Sequence, residues 1–306
     1  MKKQKQKEEK QHRKNSKSDK LCIVLLCAPA IINVLIFWLG VQFETFRLMF
    51  TDSNSGTFTL ENFAWAYREL FAGASTSNIA LSFQNTMKFF VMGCACVPVS
   101  MFFAYLIFRK CIGSTFSRLA LYLPGAVSGM AMSLLYMKAM ESTGPIMQAI
   151  QDLTGSAEPM ILKSSNGILY IMIYDVLVGV GSSLIMWLGG MNRIPQEVIE
   201  YGKLEGIGPF REFASVVLPL IWPTFVTMIT LQIIGIFGST GSVLILTDGN
   251  FGTYTLEFWM YKMVQENLVG EYNHVAALGM IFTILTIPIV IIGRKIMNRF
   301  GEEVEY

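Results

Sequence analysis

The sequence predicts an all-α integral membrane protein with six transmembrane helices and both termini in the cytoplasm. Three observations lead there. Only 15% of the 306 residues are charged and 53% are hydrophobic, with a mean hydropathy of +0.48, whereas a soluble domain carries about 25% charged residues. Six runs are long and apolar enough to be spans, each of which needs about 20 residues to cross roughly 30 Å of hydrocarbon. Lysine and arginine gather in alternate segments between those runs, the pattern that sets membrane orientation. In lipid each backbone N–H and C=O needs an internal partner, so the spans are expected to be helices.

Residues 1–20 form a basic, low-complexity arm with Lys2, Lys3, Lys5, Lys7, Lys10, Arg13, Lys14, Lys17 and Lys20. A segment so charged cannot bury enough apolar surface to order itself. Span 1 is expected over 21–43. A secretory signal peptide competes for this region, but the apolar run exceeds the usual 7–15 residues or so, which favours an uncleaved helix. An outer loop, 44–80, follows. The remaining spans are expected at 81–108, 119–140, 167–190, 213–237 and 275–293, with a tail at 295–306. Pro98, Pro124, Pro223 and Pro288 fall inside these runs and are read as bends. No internal repeat is evident.

Arg109, Lys110 and Arg118 lie between spans 2 and 3. Arg193, Lys203 and Arg211 lie between spans 4 and 5, and Arg294, Lys295 and Arg299 follow span 6. With the arm, these segments share one side, which the charge rule assigns to the cytoplasm. A multi-pass plasma-membrane protein results, in contact with lipid. Basic arms beside spans usually fix topology, so no nucleic-acid partner is expected.

Several chemistries are excluded. The five cysteines (Cys22, Cys27, Cys94, Cys96, Cys111) lie in or beside apolar runs and read as small buried hydrophobes. Cys94 and Cys96 lack a second pair at zinc spacing, and His12 and His274 are the only histidines, so no metal is expected. There is no G-x-x-x-x-G-K-[ST] phosphate loop and no nucleophile–base constellation. The chain is expected to hold no cofactor and to be no enzyme itself.

The segment between spans 4 and 5 cannot be a span, yet it carries apolar residues. Ile194-Pro195-Gln196-Glu197 reads as a helix start, with an acid at the positive end of the dipole. Gly206 and Gly208 permit a sharp turn, and Pro209 can open a second short helix. Leu204, Ile207 and Phe210 then form a knob at the bend of the 194–213 loop. Each contributes about 1.5–3 kcal/mol if a partner buries it. The alternative is that they fold back on this chain.

The spacing of this loop resembles the EAA loop of ATP-binding-cassette (ABC) importer permeases, which reads E-A-A, three residues, G, nine residues, then I-x-L-P. Here Glu200-Tyr201-Gly202 is followed three residues on by Gly206, and nine residues later by Val216-Val217-Leu218-Pro219. Tyr201 and Gly202 replace the alanines, Glu205 stands where Asp is usual, and Ile207 replaces a small residue. Leu246-Thr247-Asp248-Gly249-Asn250, Thr255 and Tyr261 resemble the outer segment of carbohydrate permeases. Tyr272 to Gly279 resembles the start of their last span. The length and tail are similar to the first permease of maltose-type, multiple-sugar systems. This resemblance implies a type I ABC importer permease fold with a core over 81–294. It implies that the loop seats in a separate ATPase subunit, where ATP and Mg bind. Glu200, Leu204, Glu205, Gly206, Ile207, Phe210 and Pro219 are then the coupling residues: Glu200 pairs with the ATPase or caps the helix, Gly206 bends the loop, and Pro219 sets the exit into span 5. A second homologous permease, an ATPase dimer, an extracellular sugar-binding protein and a sugar substrate are the implied partners.

Polar residues inside spans are costly and therefore informative. Asp175, Gly179 and Ser182 fall at i, i+4 and i+7, one helix face. They either line a wet cavity or pack against a neighbour, with Gly179 permitting close approach. The resemblance implies sugar contacts at these three positions, and at Gln232 and Ser239 on span 5. Asn85, Lys88 and Glu141 read as interfacial caps. Trp38, Tyr122, Tyr136, Trp187, Trp222 and Trp259 read as interface anchors. Two rival readings stay open: a self-sufficient secondary transporter or channel with Asp175 as its ion site, and a membrane scaffold that only recruits a partner.

Overall fold

A computed structural model describes residues 22–53, 55–71, 78–110, 113–155, 166–238, 241–265 and 271–300. The chain runs through α1 (Cys22–Met49), α2 (Glu61–Phe71), α3 (Asn78–Phe108), α4 (Ser114–Ala126), α5 (Gly129–Ala139), α6 (Pro145–Thr154) and α7 (Gly167–Met191). It continues through α8 (Gln196–Leu204), α9 (Pro209–Leu220), α10 (Trp222–Phe237), α11 (Gly241–Leu246), α12 (Leu256–Gln265) and α13 (Glu271–Phe300). Among the described residues there is no strand, only an isolated bridge between Thr51 and Phe58.

Four helices, α1, α3, α7 and α13, are individually long and apolar enough to cross a membrane. The pairs α4–α5 and α9–α10 bring the total to six if each bent pair is one span. Both bent pairs fall in the expected third and fifth spans, the runs that carry Pro124 and Pro223. Between α4 and α5 the axis turns by 106°. The turn is not at Pro124 but at Val127 and Ser128, both in extended conformations (ψ 148° and 130°). Between α9 and α10 the turn is 75°. Pro223 has no N–H to give the carbonyl of Pro219, so the helical ladder fails there, and Ile221 leaves helical geometry at φ −97°, ψ 10°. Helical structure also extends further than expected. α1 runs on to Met49, α2 occupies part of the 44–80 loop, and α13 continues to Phe300.

In lipid, helices gain little from hiding apolar surface and associate where small residues let them approach. α3 and α4 both pack on α7, and α10 packs on α3 and α13. A Cβ on Gly181 of α7 would overlap the Leu121 carbonyl of α4, and one on Gly190 would lie 2.8 Å from Thr224 Oγ1 of α10. Both glycines are therefore contact points between helices. The largest core lies at the loop end of the bundle, where Met101 and Tyr105 of α3, Leu184, Trp187 and Met191 of α7, and Val217 and Ile221 meet. α1 differs: none of its most apolar window is buried by this chain, and only its end touches α13. Cys22 and Cys27 on α1 are accordingly exposed, and Cys94 and Cys96 half-buried, so the expectation of buried cysteines fails for the first pair. Cys111 lies outside the described residues.

Candidate functional site: an internal cavity and an exposed loop

A cavity of about 400 Å³ opens between α3, α7 and α10. Asp175, Gly179 and Gln232 line it, joined by Ser183, Ser100 and Gly93. Asp175 accepts a 3.0 Å hydrogen bond from Ser242 Oγ on α11, and among the described residues no base pairs with it. Gln232 lies directly on α3: a Cβ on Gly93 would sit 3.1 Å from both its amide N and O. A Cβ on Gly179 or Gly235 would meet nothing within 4 Å, so these glycines keep the space open rather than pack helices together.

Ser182 is a correction. It is exposed, does not line the cavity, and donates back to the Gly179 carbonyl at 3.0 Å. The cavity face continues instead through Ser183, at i+8 from Asp175, while Ser182 lies on the side of α7 that α4 approaches. There the Cβ of a substituted Gly125 would sit 3.6 Å from the Ser182 backbone nitrogen. Ser239 lies outside the described residues.

The opposite end of the bundle carries the loop. α8 ends in a Schellman-type turn, with Gly206 at φ +72° and the Ile207 N–H bonded to the Gly202 carbonyl at 3.1 Å. A left-handed residue at this position favours glycine. Ile207 folds back so that its Cδ1 is 4.0 Å from where a Gly202 Cβ would stand, and it is half-buried. Leu204 and Phe210 do not follow it: they are 85% and 75% exposed. The knob is thus two residues, not three. Glu200 and Glu205 are exposed as well, and Pro219 lies exposed near the end of α9, just before the bend.

Glu212 was not singled out by the sequence, yet it is the loop's buried anchor. It has no exposed surface. Tyr105 Oη lies 2.9 Å from the Pro209 carbonyl and 3.1 Å from Glu212 Oε1, donating between them. Arg109 Nη2 stands 3.3 Å from Glu212 Oε2. Phe213 packs on Tyr105, with ring centroids 5.0 Å apart. One face of α3 therefore grips the start of α9.

The same core joins loop and cavity. Trp187 Nε1 donates to Ser100 Oγ at 3.0 Å. Ser100 lines the cavity, and Trp187 packs in the cluster that holds Val217 and Ile221. Trp187 and Tyr136 are thus buried packing residues, not interface anchors. Asn85 likewise is no cap. It is 2% exposed, and its Nδ2 donates to the Gly252 and Tyr254 carbonyls at 2.8 and 2.9 Å. It pins the 247–255 turn, where Asp248, Gly249, Phe251 and Gly252 all have positive φ. Its signal was in the sequence: Ser82, Asn85 and Thr86 lie at i, i+3 and i+4, and all three are buried.

Helices of membrane length around a mainly apolar cavity with a few polar groups, and an apolar knob presented between two helices, point to a polytopic transport component. Residues 83–304 match the model of the binding-protein-dependent transport system inner membrane component, and the chain belongs to that family. It is 25% identical over 222 residues to the sn-glycerol-3-phosphate transport system permease protein UgpA of Yersinia pestis, covering 71% of this chain and 75% of that one. It is 23% identical over 286 residues to the multiple sugar-binding transport system permease protein MsmF of Streptococcus mutans, covering 90% and 94%. The crystal structure of a bacterial ABC transporter involved in the import of the acidic polysaccharide alginate has the same fold, with a TM-score of 0.79 at 17% identity over 94% of this chain and 98% of that one.

Proposed function

We propose that this chain is the membrane-spanning permease subunit of a bacterial ABC importer that translocates a sugar or oligosaccharide. It works beside a second, homologous permease, a pair of ATPase subunits and an extracellular binding protein. Both termini and the 194–213 loop lie in the cytoplasm, a reading that the placement of Lys and Arg supports. The observation that carries this reading is the unbroken packing from cavity to loop: Ser100 at the cavity wall, Trp187 behind it, then Val217 and Ile221 leading into α9. Leu204 and Phe210 stand exposed on the far side, facing a partner that this chain does not supply. The sugar relatives, MsmF and the arabinooligosaccharides permease AraP of Bacillus subtilis, support a carbohydrate substrate. So does the cavity, whose size lies within the range of small-molecule sites, about 300–1,000 Å³. Its carboxylate, hydroxyl and amide groups are partners that sugar hydroxyls require.

In the proposed cycle, ATP closes the ATPase dimer and draws the two loops together. The cavity opens outward, accepts solute from the binding protein, and releases it inward after hydrolysis. Asp175 and Gln232 are the substrate contacts expected to matter most. Asp175→Asn is expected to lower solute uptake by the reconstituted complex about ten-fold or more, since a hydrogen bond to a charged group contributes about 1.5–3 kcal/mol. Basal ATP hydrolysis should stay within two-fold or so of the parent, because the loop is unchanged. Unchanged uptake would remove Asp175 from the substrate path.

A further inference from the structure

A second cavity, of about 420 Å³, lies at the loop end between α3, α4, α7 and α8. Its floor is apolar, formed by Ile107, Phe108, Leu188 and Ile199, and its rim carries Arg109, Lys110 and Arg118 together with Glu200. Arg109 is committed to the buried Glu212. Lys110 and Arg118 have no ion-pair partner among the described residues and are exposed. Asn192 and Gln196 add amide donors. The rim therefore holds more positive charge than its one acid balances, over a floor that suits hydrocarbon.

We infer that this cavity is a binding site for a phosphate group at the membrane surface, carried by an anionic phospholipid. Its place at the loop end of membrane-length helices brings it to the headgroup layer, where Lys and Arg attract anionic lipid. The apolar floor accepts the first carbons of an acyl chain, which a free phosphate would leave empty. Arg109 belongs to the rim and also holds Glu212, so an occupant of this cavity touches the same cation that anchors the start of α9. The inference goes beyond transport and holds whichever leaflet this face meets.

Native mass spectrometry of the full chain, extracted in mild detergent and titrated with phosphatidylglycerol or phosphatidylcholine, tests it. Phosphatidylglycerol is expected to be retained in preference to phosphatidylcholine. The double variant Lys110→Gln with Arg118→Gln is expected to retain it roughly 30-fold less well, while Arg193→Gln, an exposed base outside the cavity, leaves retention unchanged. The charge-keeping pair Lys110→Arg with Arg118→Lys guards against misfolding and should restore most of the retention. Displacement of phosphatidylglycerol by millimolar inorganic phosphate, with the same dependence on Lys110 and Arg118, would uphold the phosphate site and assign it to the free ion. Equal retention of both lipids, or equal losses in the double variant and Arg193→Gln, would overturn the inference. A double variant that loses an acidic partner protein but no lipid would overturn it too.

Discussion

Replacing Leu204 and Phe210 together with alanine is expected to strip the ATPase subunit from the purified complex and to abolish solute-stimulated ATP hydrolysis. Both side chains are mostly exposed although they sit on an otherwise anchored loop, and burial by a partner would contribute about 1.5–3 kcal/mol each. The pair then amounts to roughly 3–6 kcal/mol, a factor of at least 100 in affinity. Large apolar residues at the centre of an interface are where such losses concentrate. The chain itself should still fold. Leu204 is 85% and Phe210 75% exposed, and Phe210 gives up a ring contact with Phe102 at 5.7 Å. Co-purification from native membranes, with thermal stability of the chain as control, reads the outcome. Full retention of the ATPase would mean that the knob faces lipid.

Glu212→Ala is expected to have an equally large effect by another route. It removes the Glu212 acceptor from the Tyr105 hydroxyl, which keeps its bond to the Pro209 carbonyl, and takes its carboxylate from the Arg109 guanidinium, which is mostly buried. Breaking a buried ion pair by removing one partner costs about 3–5 kcal/mol, with the solvent that reaches Arg109 favouring the lower figure. The start of α9 should loosen from α3, so that ATP hydrolysis persists but no longer tracks transport. Glu212→Gln keeps the shape and an acceptor for Tyr105, and should lose much less. Simultaneous ATPase and uptake assays on both variants separate this from simple misfolding. If Glu212→Ala transported normally, the anchor would be packing alone.

Much of this arrangement was legible in the sequence because it is local. The apolar runs coincide with four membrane-length helices and two bent pairs, and the Gly206 turn, the Pro209 helix start and the exposed knob follow from residues within one stretch. Asp175, Gly179 and Gln232 do share a cavity. What escaped has non-local causes. Glu212 beside Arg211 looks like a solvated charge until Tyr105 of α3 and Arg109 just past its end enclose it. Ser182 and Ser183 are adjacent, and only the approach of α4 to Gly181 decides which one faces the cavity. The breaks within the third and fifth spans were signalled by Pro124 and Pro223, but neither their size nor their exact place was. Hydropathy is blind to a bend, and in the first of these pairs the bend lies beyond the proline that seemed to mark it.

The most direct test of the account is solute accumulation in sealed vesicles, by the chain alone and by the complex purified with its partners, each with and without ATP. The account predicts accumulation only in the complex, only with ATP inside the compartment that the 194–213 loop faces, and its loss on Glu200→Lys. Accumulation by the chain alone, driven by membrane potential and indifferent to ATP, would contradict it and make Asp175 an ion site.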